Sequence, residues 1–245
     1  MPARCGPAAF SGASGRGCEM KHRKVRDVMT RAVTVTTSTR FKDLARMVAG
    51  RGIGALPVLG RHGAVVGVVS EADLLAKAEF QHDPGSRPAV RHRRVLRAKA
   101  AGDTAGDVMT RHPVTVRPDA TVAEAARLLS RHNVSGLPVV DENGALAGIV
   151  GPRDVLGVFL RPDREIRAEI IRDVLAGYLG TNPALVRVDV TGGLVTVAGE
   201  VERKSMLASV APAVRAVDGV IGVRCQLSYA IDDTRIPFTA DLGGY

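Results

Sequence analysis

The stretch VRDVMT, Val25 to Thr30, returns later in the chain as AGDVMT, Ala105 to Thr110. The stretch GALPV, Gly54 to Val58, returns as SGLPV, Ser135 to Val139. The offset is 80 residues at the first stretch and 81 at the second, so the second copy holds one extra residue near Pro113. Similarity at a nearly fixed offset is the signature of a fold built from copies of one supersecondary unit. The sequence therefore predicts two copies of such a unit.

Each copy predicts a short strand, a helix, a β-hairpin and a closing helix. In the first copy, Leu56 to Leu59 and Ala64 to Val69 predict the hairpin strands, and in the second copy Asn143-Gly144 predicts a type I′ turn. The first helix of each copy has apolar residues at i, i+3, i+4 and i+7, which predicts one buried face. These positions are Phe41, Leu44, Ala45 and Val48 in the first copy, and Val122, Ala125, Ala126 and Leu129 in the second.

The segment GVVSEADLL, Gly67 to Leu75, predicts a buried strand that runs directly into a helix, with Ser70 and Asp73 at the junction. Two interpretations of this pair stay open. A hydroxyl at a helix N-cap, followed three residues later by an acid, satisfies free backbone N–H groups and is then purely structural. Alternatively, a helix N-terminus with a hydroxyl attracts phosphate and a carboxylate accepts hydrogen bonds from sugar hydroxyls, which predicts a small-molecule site.

Composition limits the functional classes. The chain has 245 residues, of which 45% are hydrophobic, enough for one or two domains with a real core. Its apolar runs are far shorter than a membrane span, and Met1 to Met20 holds no apolar core of a signal peptide, so we expect a cytoplasmic protein. The three cysteines form no CxxC or Cys/His cluster, which predicts free thiols and no metal site. We find no nucleophile and base pair and no P-loop, so we expect neither an enzyme nor a cofactor.

The charge distribution favours anionic partners. The formal net charge is +9, which suits nucleotide phosphates, a nucleic acid or an anionic lipid surface. The chain has no Trp and only 3% aromatic residues, so the stacking platforms of single-strand binders are missing. A nucleic acid is therefore the third-ranked partner. A basic run that contains no acid, which in most proteins is solvated surface, consists of Arg87, Arg91, Arg93, Arg94, Arg97 and Lys99.

The ordered set of DVMT opening, amphipathic helix, LPV strand, G-h-V strand and closing helix with its Asp occurs twice. It resembles a tandem pair of cystathionine β-synthase (CBS) domains, together called a Bateman module, over roughly Val25 to Leu160. The resemblance implies an α/β (α+β) fold in which two β-α-β-β-α repeats pack side by side through their sheets. It also implies clefts between the repeats that in many relatives bind adenosine-containing ligands, and pairing of modules into flat dimers.

The resemblance also implies ligand residues. In the family pattern, a Ser or Thr three positions before an Asp contacts phosphate and the Asp holds the ribose hydroxyls. The first copy matches, whereas Gly151-Pro152-Arg153-Asp154 lacks the hydroxyl, so we expect a weaker second site unless Arg153 reaches a phosphate. The valines fit ordinary sheet core at least as well. The first implied site is Val33, Thr34, Val35, Gly54, Ala55, Leu56, Ser70 and Asp73, and the second is Val114, Thr115, Val116, Ser135, Gly136, Leu137, Arg153 and Asp154.

From Asp163 onward the pattern changes to a helix, two strands, a second helix and a last strand at Val220 to Tyr229. The segments GLVTVAGEV, Gly193 to Val201, and VDGVIGV, Val217 to Val223, resemble a BON domain, the small module named for bacterial osmotic-stress and nodulation proteins. This resemblance implies binding to a phospholipid surface or to a partner protein. Pro212 falls inside the second helix and predicts a kink or a break there.

The predicted organisation follows from these patterns. It comprises a disordered N-terminal extension (1–19), a first CBS repeat (20–80), a basic linker (81–104), a second CBS repeat (105–161), a BON domain (162–230) and a C-terminal tail (231–245). Met20 is an alternative start of translation. We expect a homodimer, because the closing helices carry more apolar residues than one core needs: Leu74, Leu75, Val155, Leu156, Val158 and Phe159.

The sequence predicts a cytoplasmic ligand-sensing regulator. Its CBS pair binds AMP, ADP, ATP or S-adenosylmethionine and relays occupancy to the BON domain. One alternative is an interaction protein, in which the CBS pair is a dimer scaffold and the BON domain alone binds a phospholipid surface or a partner protein. The other is a nucleic-acid-binding regulator that uses the basic linker.

Overall fold

The computed structural model describes residues 23–81 and 98–234. The predicted disordered extension, most of the basic linker and the tail beyond residue 234 lie outside the described residues. The chain divides into two compact units, one from Arg23 to Gly157 and one that begins at Val158. Within the described ranges, no helix is long and apolar enough to cross a membrane.

The first unit holds both repeats and has the mixed α and β composition that the sequence predicts. Its elements are helix α1 Val25–Val28, strand β1 Val35–Thr36, helix α2 Phe41–Arg51, strands β2 Ala55–Leu59 and β3 Val65–Ser70, helix α3 Glu71–Gln81, helix α4 Ala105–Val108, strand β4 Thr110–Arg111, helix α5 Val122–His132, strands β5 Leu137–Val140 and β6 Leu146–Val150, and helix α6 Pro152–Leu156, followed by the 3-10 turn Gly157–Leu160. An opening helix, an amphipathic helix, a β-hairpin and a closing helix follow one another in the same order in both copies, which confirms the predicted repeat.

The opening segment of each repeat packs into the other repeat. Strand β4 of the second repeat pairs antiparallel with β3 of the first, which completes a sheet of order β1-β2-β3-β4. Reciprocally, Thr30 exchanges two backbone hydrogen bonds of 2.9 Å with Ile149 beside the β5-β6 pair. The apolar side chains of the opening segments are also buried in the opposite repeat: Val108 and Met109 belong to the core of the first repeat, and Val25 belongs to that of the second. The two repeats therefore form one interlocked module.

The helices that pack on these sheets have clear caps at their ends. Helix α5 starts with the capping box in which Glu124 N donates to Thr121 Oγ1 at 3.2 Å and Thr121 N donates to Glu124 Oε2 at 2.7 Å. It ends at Asn133, which is left-handed with φ 49°, just as α2 ends at Gly52 with φ 60°. Leu44 and Leu129 lie on the buried faces, as expected.

The predicted type I′ turn at Asn143-Gly144 is wrong. A type I′ turn needs a positive φ at both central residues, and of these two only Gly144 has one, at 79°. The carboxylate of Asp141 instead accepts hydrogen bonds from the backbone N–H groups of Asn143 and Ala145, both at 2.9 Å. An acid two residues before Asn143 thus selects a longer turn, and the strand register shifts next to Val140.

The second unit is a three-stranded sheet with helices. Its elements are helix α7 Asp163–Glu169, continued by the π-helical turns Ile170–Tyr178, the 3-10 turn Pro183–Leu185, strands β7 Val186–Thr191 and β8 Leu194–Arg203, helix α8 Lys204–Arg215 and strand β9 Gly222–Ile231. Strand β8 is central, antiparallel to β7 and parallel to β9. Helix α8 runs through Pro212, so of the two predicted alternatives, a kink or a break, the break is wrong. The core includes Ile166, Ile170, Leu175, Val188, Val197, Val210 and Val214.

Two polar anchors lie near the ends of this unit. At its start, Arg161 donates to the carbonyl of Asp218 at 2.7 Å and pairs with Glu169 at 2.6 Å, which explains why the compact unit begins before the predicted boundary at Pro162. At its end, strand β9 extends into the predicted tail. Beyond it, Asp233 accepts hydrogen bonds from Ser205 N at 3.0 Å and Ser205 Oγ at 2.6 Å. The first turn of α8, which has no side-chain cap from Arg203, is thus capped from the C-terminal segment.

The exchange of opening segments predicts a strict need for glycine at two strand positions. A Cβ on Gly67 would overlap the sulfur of Met109, and one on Gly148 would lie 2.8 Å from the carbonyl oxygen of Thr30. We expect Gly67→Ala and Gly148→Ala each to lower the free energy of unfolding by about 1 to 3 kcal/mol in urea titrations. Gly50 lies in helix α2 with open space around it, so Gly50→Ala should be neutral or stabilising. Equal effects at all three positions would contradict the interlocked packing.

The cap on α8 predicts a pH-dependent contribution to stability. The hydrogen bond from the Ser205 hydroxyl, together with that from its backbone N–H, lowers the pKa of the Asp233 carboxyl from its ordinary value of 3.8. Because the folded-state pKa is depressed, the contribution is present above pH 3.8 and is lost as the pH falls through the folded-state pKa. Thermal melts should show a lower Tm for Asp233→Asn at pH 7. A gap in Tm between wild type and variant that stays constant down to pH 2 to 3, about one unit or more below the usual Asp pKa, would disprove the cap.

Candidate functional site

The side chain of Asp73 lies at the junction between strand β3, which ends at Ser70, and helix α3. It is buried, with 7% of its surface exposed. Its Oδ2 accepts hydrogen bonds from Ser70 N at 2.8 Å and from Ser70 Oγ at 2.7 Å. The pair therefore caps the helix, as the structural interpretation predicts. A buried carboxylate is costly unless it is well paired, so the other oxygen also needs a partner.

That partner is Lys99. Its Nζ lies 2.5 Å from Asp73 Oδ1 and donates a second hydrogen bond to Thr110 Oγ1 at 2.8 Å. The side chain of Lys99 is only 12% exposed, so this is a largely desolvated ion pair. The sequence places Lys99 in a basic run that is typical of solvated surface, and no motif marks it. The position of Lys99 depends on the β3–β4 pairing, which brings Thr110 close to Asp73 and which no local pattern indicates.

Ser70 and Asp73 line a cavity of about 740 Å³ whose walls come from both repeats. It brings together residues from both predicted sites: Ala55, Ser70 and Asp73 from the first, and Val114, Ser135 and Gly136 from the second. The remaining wall is formed by Val68, Glu71, Ala72, Leu75, Thr110, His112, Pro113, His132, Asn133 and Val134. Val33 to Val35 do not line this cavity. Their counterpart in the second repeat, the segment around Val114, faces Asp73 instead.

Several of the predicted residues belong to the cores of the two repeats. Val35 and Leu56 are buried in the first core, and Val116 and Leu137 are buried in the second. Val33 is half-buried against the first core. The interpretation of these side chains as sheet core therefore fits their positions, while Thr34 and Thr115 are exposed.

The junction in the second repeat is built differently. Gly151 N donates to Asp154 Oδ2 at 2.7 Å, but no hydroxyl is available at this position. Asp154 is half-buried and forms no ion pair among the described residues. Arg153 is exposed and lines a separate groove of about 670 Å³ together with Gly54 and Ser135, whose Oγ donates to the Gly54 carbonyl at 2.7 Å. The two junctions thus differ in burial and in charge pairing.

The arrangement around Asp73 suits binding. A carboxylate next to a rotatable hydroxyl can accept from sugar hydroxyls while the hydroxyl donates to a phosphate oxygen. Two imidazoles, of His112 and His132, lie in the same wall, and His112 has a left-handed backbone with φ 50°. In the part of the chain that the structure describes, no three His, Cys, Asp or Glu side chains are grouped to hold a metal ion.

The apolar residues of the closing helices divide into two groups. Leu74 and Val155 pack against the cores of their repeats, and Val158 is buried. Leu75 and Leu156 are 59% and 61% exposed, and Phe159 is 49% exposed. Leu75 lies along the groove of about 670 Å³ between helices α2 and α3, whose apolar lining includes Phe41, Ala45, Val48, Leu74 and Ala78. Within the first unit, Leu75 and Leu156 therefore leave apolar helix surface uncovered.

The CBS-domain family model matches residues 25–79 and 105–161, and the BON-domain family model matches residues 162–231. The fold, the twofold repeat and these matches agree on one class of protein. The chain belongs to the CBS-domain family and carries a tandem pair of CBS domains followed by a BON domain.

Individual relatives share the CBS part. An uncharacterized protein of Methanocaldococcus jannaschii is 27% identical over 148 residues, which cover 54% of this chain and 88% of that protein. The chloroplastic CBS domain-containing protein CBSX2 of Arabidopsis thaliana is 34% identical over 142 residues, 54% of this chain and 60% of the relative. A crystal structure of CBSX2 in complex with AMP aligns with a TM-score of 0.49 and 34% identity, over 56% of this chain and 96% of that chain.

Enzymes match over a smaller share of their length. An inosine-5'-monophosphate dehydrogenase of Korarchaeum cryptofilum is 33% identical over 132 residues, which cover 54% of this chain and only 22% of the enzyme. The similarity is confined to the CBS domains of that enzyme.

Proposed function

We propose that the CBS pair is a regulatory module that binds an adenosine-containing ligand in the cavity around Asp73. The observation that carries the proposal is a buried carboxylate beside a serine hydroxyl, in a cavity of about 740 Å³ with walls from both repeats. This volume suits a small molecule of nucleotide size. Candidate ligands are AMP, ADP, ATP and S-adenosylmethionine.

The hydrogen bonds at Asp73 explain how such a ligand would be held. Oδ2 already accepts two hydrogen bonds from Ser70, whereas Oδ1 accepts one from Lys99. If Ser70 Oγ rotates to donate to a phosphate, one acceptor position on Oδ2 becomes free, and Oδ1 still has a second. The carboxylate can then accept from both ribose hydroxyls. A single hydroxyl rotation thus serves phosphate and ribose together.

The base would lie against small and apolar wall residues. Ala55, Val114 and Val134 offer apolar surface, and Gly136 lets the two repeats approach closely. A Cβ on Gly136 would lie 3.0 Å from Ala55 Cβ, so any side chain there would close this part of the wall. We expect the second predicted site, at Asp154, to bind more weakly because it lacks the hydroxyl.

The proposal extends to the role of the whole chain. We propose a regulator and not an enzyme, because the similarity to inosine-5'-monophosphate dehydrogenase covers only the CBS domains of that enzyme. We further propose that ligand occupancy is relayed to the BON domain and that the protein acts in the cytoplasm.

Calorimetry on matched variants tests the ligand site. A thermal-shift screen with AMP, ADP, ATP and S-adenosylmethionine selects the ligand, since binding to the folded state alone raises Tm. AMP comes first because CBSX2 was crystallised with it. Asp73→Asn should then weaken binding about tenfold to hundredfold, because a hydrogen bond to a charged acceptor contributes about 1.5 to 3 kcal/mol.

Asp154→Asn is the matched control and should have the smaller effect. Both variants are compared at a temperature where circular dichroism shows a folded protein. Equal affinities of wild type and Asp73→Asn would return Ser70 and Asp73 to the role of a helix cap alone.

A second candidate function is that of an interaction protein, with the CBS pair as a homodimer scaffold. Exposed Leu75 beside an apolar groove favours it, because contiguous exposed apolar surface marks interaction sites. In the BON unit, Leu194 and Ile221 are 56% and 62% exposed and lie next to each other, since Ile221 N donates to the carbonyl of Gly193 at 2.9 Å. A phospholipid surface or a partner protein would bind there, and co-sedimentation with anionic vesicles separates the two.

Nucleic acid is the third candidate. Residues 82–97 of the basic run lie outside the described residues. Lys99 offers little positive charge to a nucleic acid, because it is largely buried and paired with Asp73.

Light scattering tests the homodimer. At micromolar concentration we expect twice the mass of one chain, and Leu75→Glu should shift the protein toward the monomer because a charge would be buried at the interface. The matched control is Glu79→Gln, an exposed position on the same helix, which should leave the mass unchanged. A monomeric wild type would contradict the scaffold.

A further inference from the structure

We propose that Lys99 determines the charge class of the ligand, so that the Asp73 cavity selects adenosine ligands with an anionic phosphate over cationic adenosyl ligands. The inference rests on the proposed function and deepens it. It concerns a residue that lies outside both predicted sites and that the chain brings to the cavity through the exchanged opening segment.

The position of Lys99 is fixed on two sides. Its Nζ lies 2.5 Å from Asp73 Oδ1 and 2.8 Å from Thr110 Oγ1, and Thr110 and Asp73 both line the cavity. The side chains of Lys99 and Asp73 are 12% and 9% exposed. The charge of the lysine therefore acts at the cavity wall, where solvent screens it little.

The effect of Lys99 on the charge of the cavity depends on the other charged groups in the wall. The carboxylates are Asp73, which is buried, and Glu71, which is exposed, while His112 and His132 are exposed imidazoles. With Lys99 present, the buried carboxylate is neutralised and a phosphate can approach it. Without Lys99, the same carboxylate would be an unpaired buried negative charge, which repels a phosphate and attracts a cation.

The covalent geometry of a nucleotide makes this effect strong. A carboxylate that holds the ribose hydroxyls is only a few bonds from the group on the 5' carbon. That group is a phosphate in AMP, a hydroxyl in adenosine and a sulfonium in S-adenosylmethionine. The three ligands share the adenosine part, and the group on the 5' carbon is negative in AMP, neutral in adenosine and positive at the sulfonium of S-adenosylmethionine, so together they measure the electrostatics of the cavity.

The second junction shows that the ion pair is not a general consequence of the repeat. Asp154 has the same position in the repeat as Asp73, yet among the described residues no cation pairs with it. Within the described ranges, the ion pair therefore occurs at Asp73 and not at Asp154, as expected of a residue that sets the specificity of one site.

The test is calorimetry on the full chain with AMP, adenosine and S-adenosylmethionine, for wild type, Lys99→Met and Lys99→Arg. Lys77→Met is the matched control. Lys77 also holds the segment before the second repeat, through the Gly102 carbonyl at 2.7 Å and Asp103 at 2.9 Å, and these hydrogen bonds do not involve Asp73. Like Lys99→Met, the Lys77→Met variant removes one positive charge and one contact that holds this segment.

We expect wild type to bind AMP more tightly than S-adenosylmethionine. Lys99→Met should lower the ratio of AMP affinity to S-adenosylmethionine affinity about tenfold or more, and should change adenosine binding much less. Lys99→Arg and Lys77→Met should keep the wild-type ratio.

Each other outcome decides a separate question. Equal weakening of all three ligands by Lys99→Met would reduce Lys99 to a structural partner of Asp73 and overturn the inference. A wild type that prefers S-adenosylmethionine would overturn it without any variant, so the test holds even if Lys99→Met fails to fold. A wild type that binds none of the three, and neither ADP nor ATP in the thermal-shift screen, would refute the proposed function itself.

Discussion

The close approach of Met109 to Gly67, and of Met29 to Gly148, is the constraint on which the rest of the CBS pair depends. Each methionine ends the opening helix of one repeat and packs against a strand of the other. Only a strand residue without a side chain leaves room for this contact. Directly after each methionine, the backbone pairs with the strand of the other repeat, β4 with β3 and Thr30 with Ile149. The exchange is also what carries Thr110 to the cavity around Asp73.

The two interpretations of Ser70 and Asp73 do not compete in the folded protein. The cap uses only Oδ2 of the carboxylate, through two hydrogen bonds from Ser70. Oδ1 faces Lys99 and retains acceptor capacity, and the Ser70 hydroxyl is free to rotate. A residue pair that caps a helix is therefore compatible with the proposed ligand site, because the cap uses the backbone N–H of Ser70 and leaves its hydroxyl free to rotate.

The sequence predicts what local chemistry decides. The repeat and the buried faces around Leu44 and Leu129 depend on spacings along the chain, and the structure has them as predicted. The turn at Asn143 was predicted wrongly, because Asp141 supplies a competing acceptor that the dipeptide rule does not include. The exchange itself could not be predicted, since two similar copies give the same local pattern whichever copy the opening segment joins.

The candidate site has the same division between local and tertiary information. A local motif predicts Ser70 and Asp73. That Asp73 shares a cavity with the Val114 segment and forms an ion pair with Lys99 depends on the exchange of opening segments between the repeats. A lysine in a basic run is solvated in most proteins, and only a buried carboxylate within reach makes its burial favourable. The two CBS repeats are therefore similar in fold but not in electrostatics. Among the described residues, one junction has a carboxylate that is paired with a cation and the other does not, and this asymmetry comes from a lysine that no repeat motif contains.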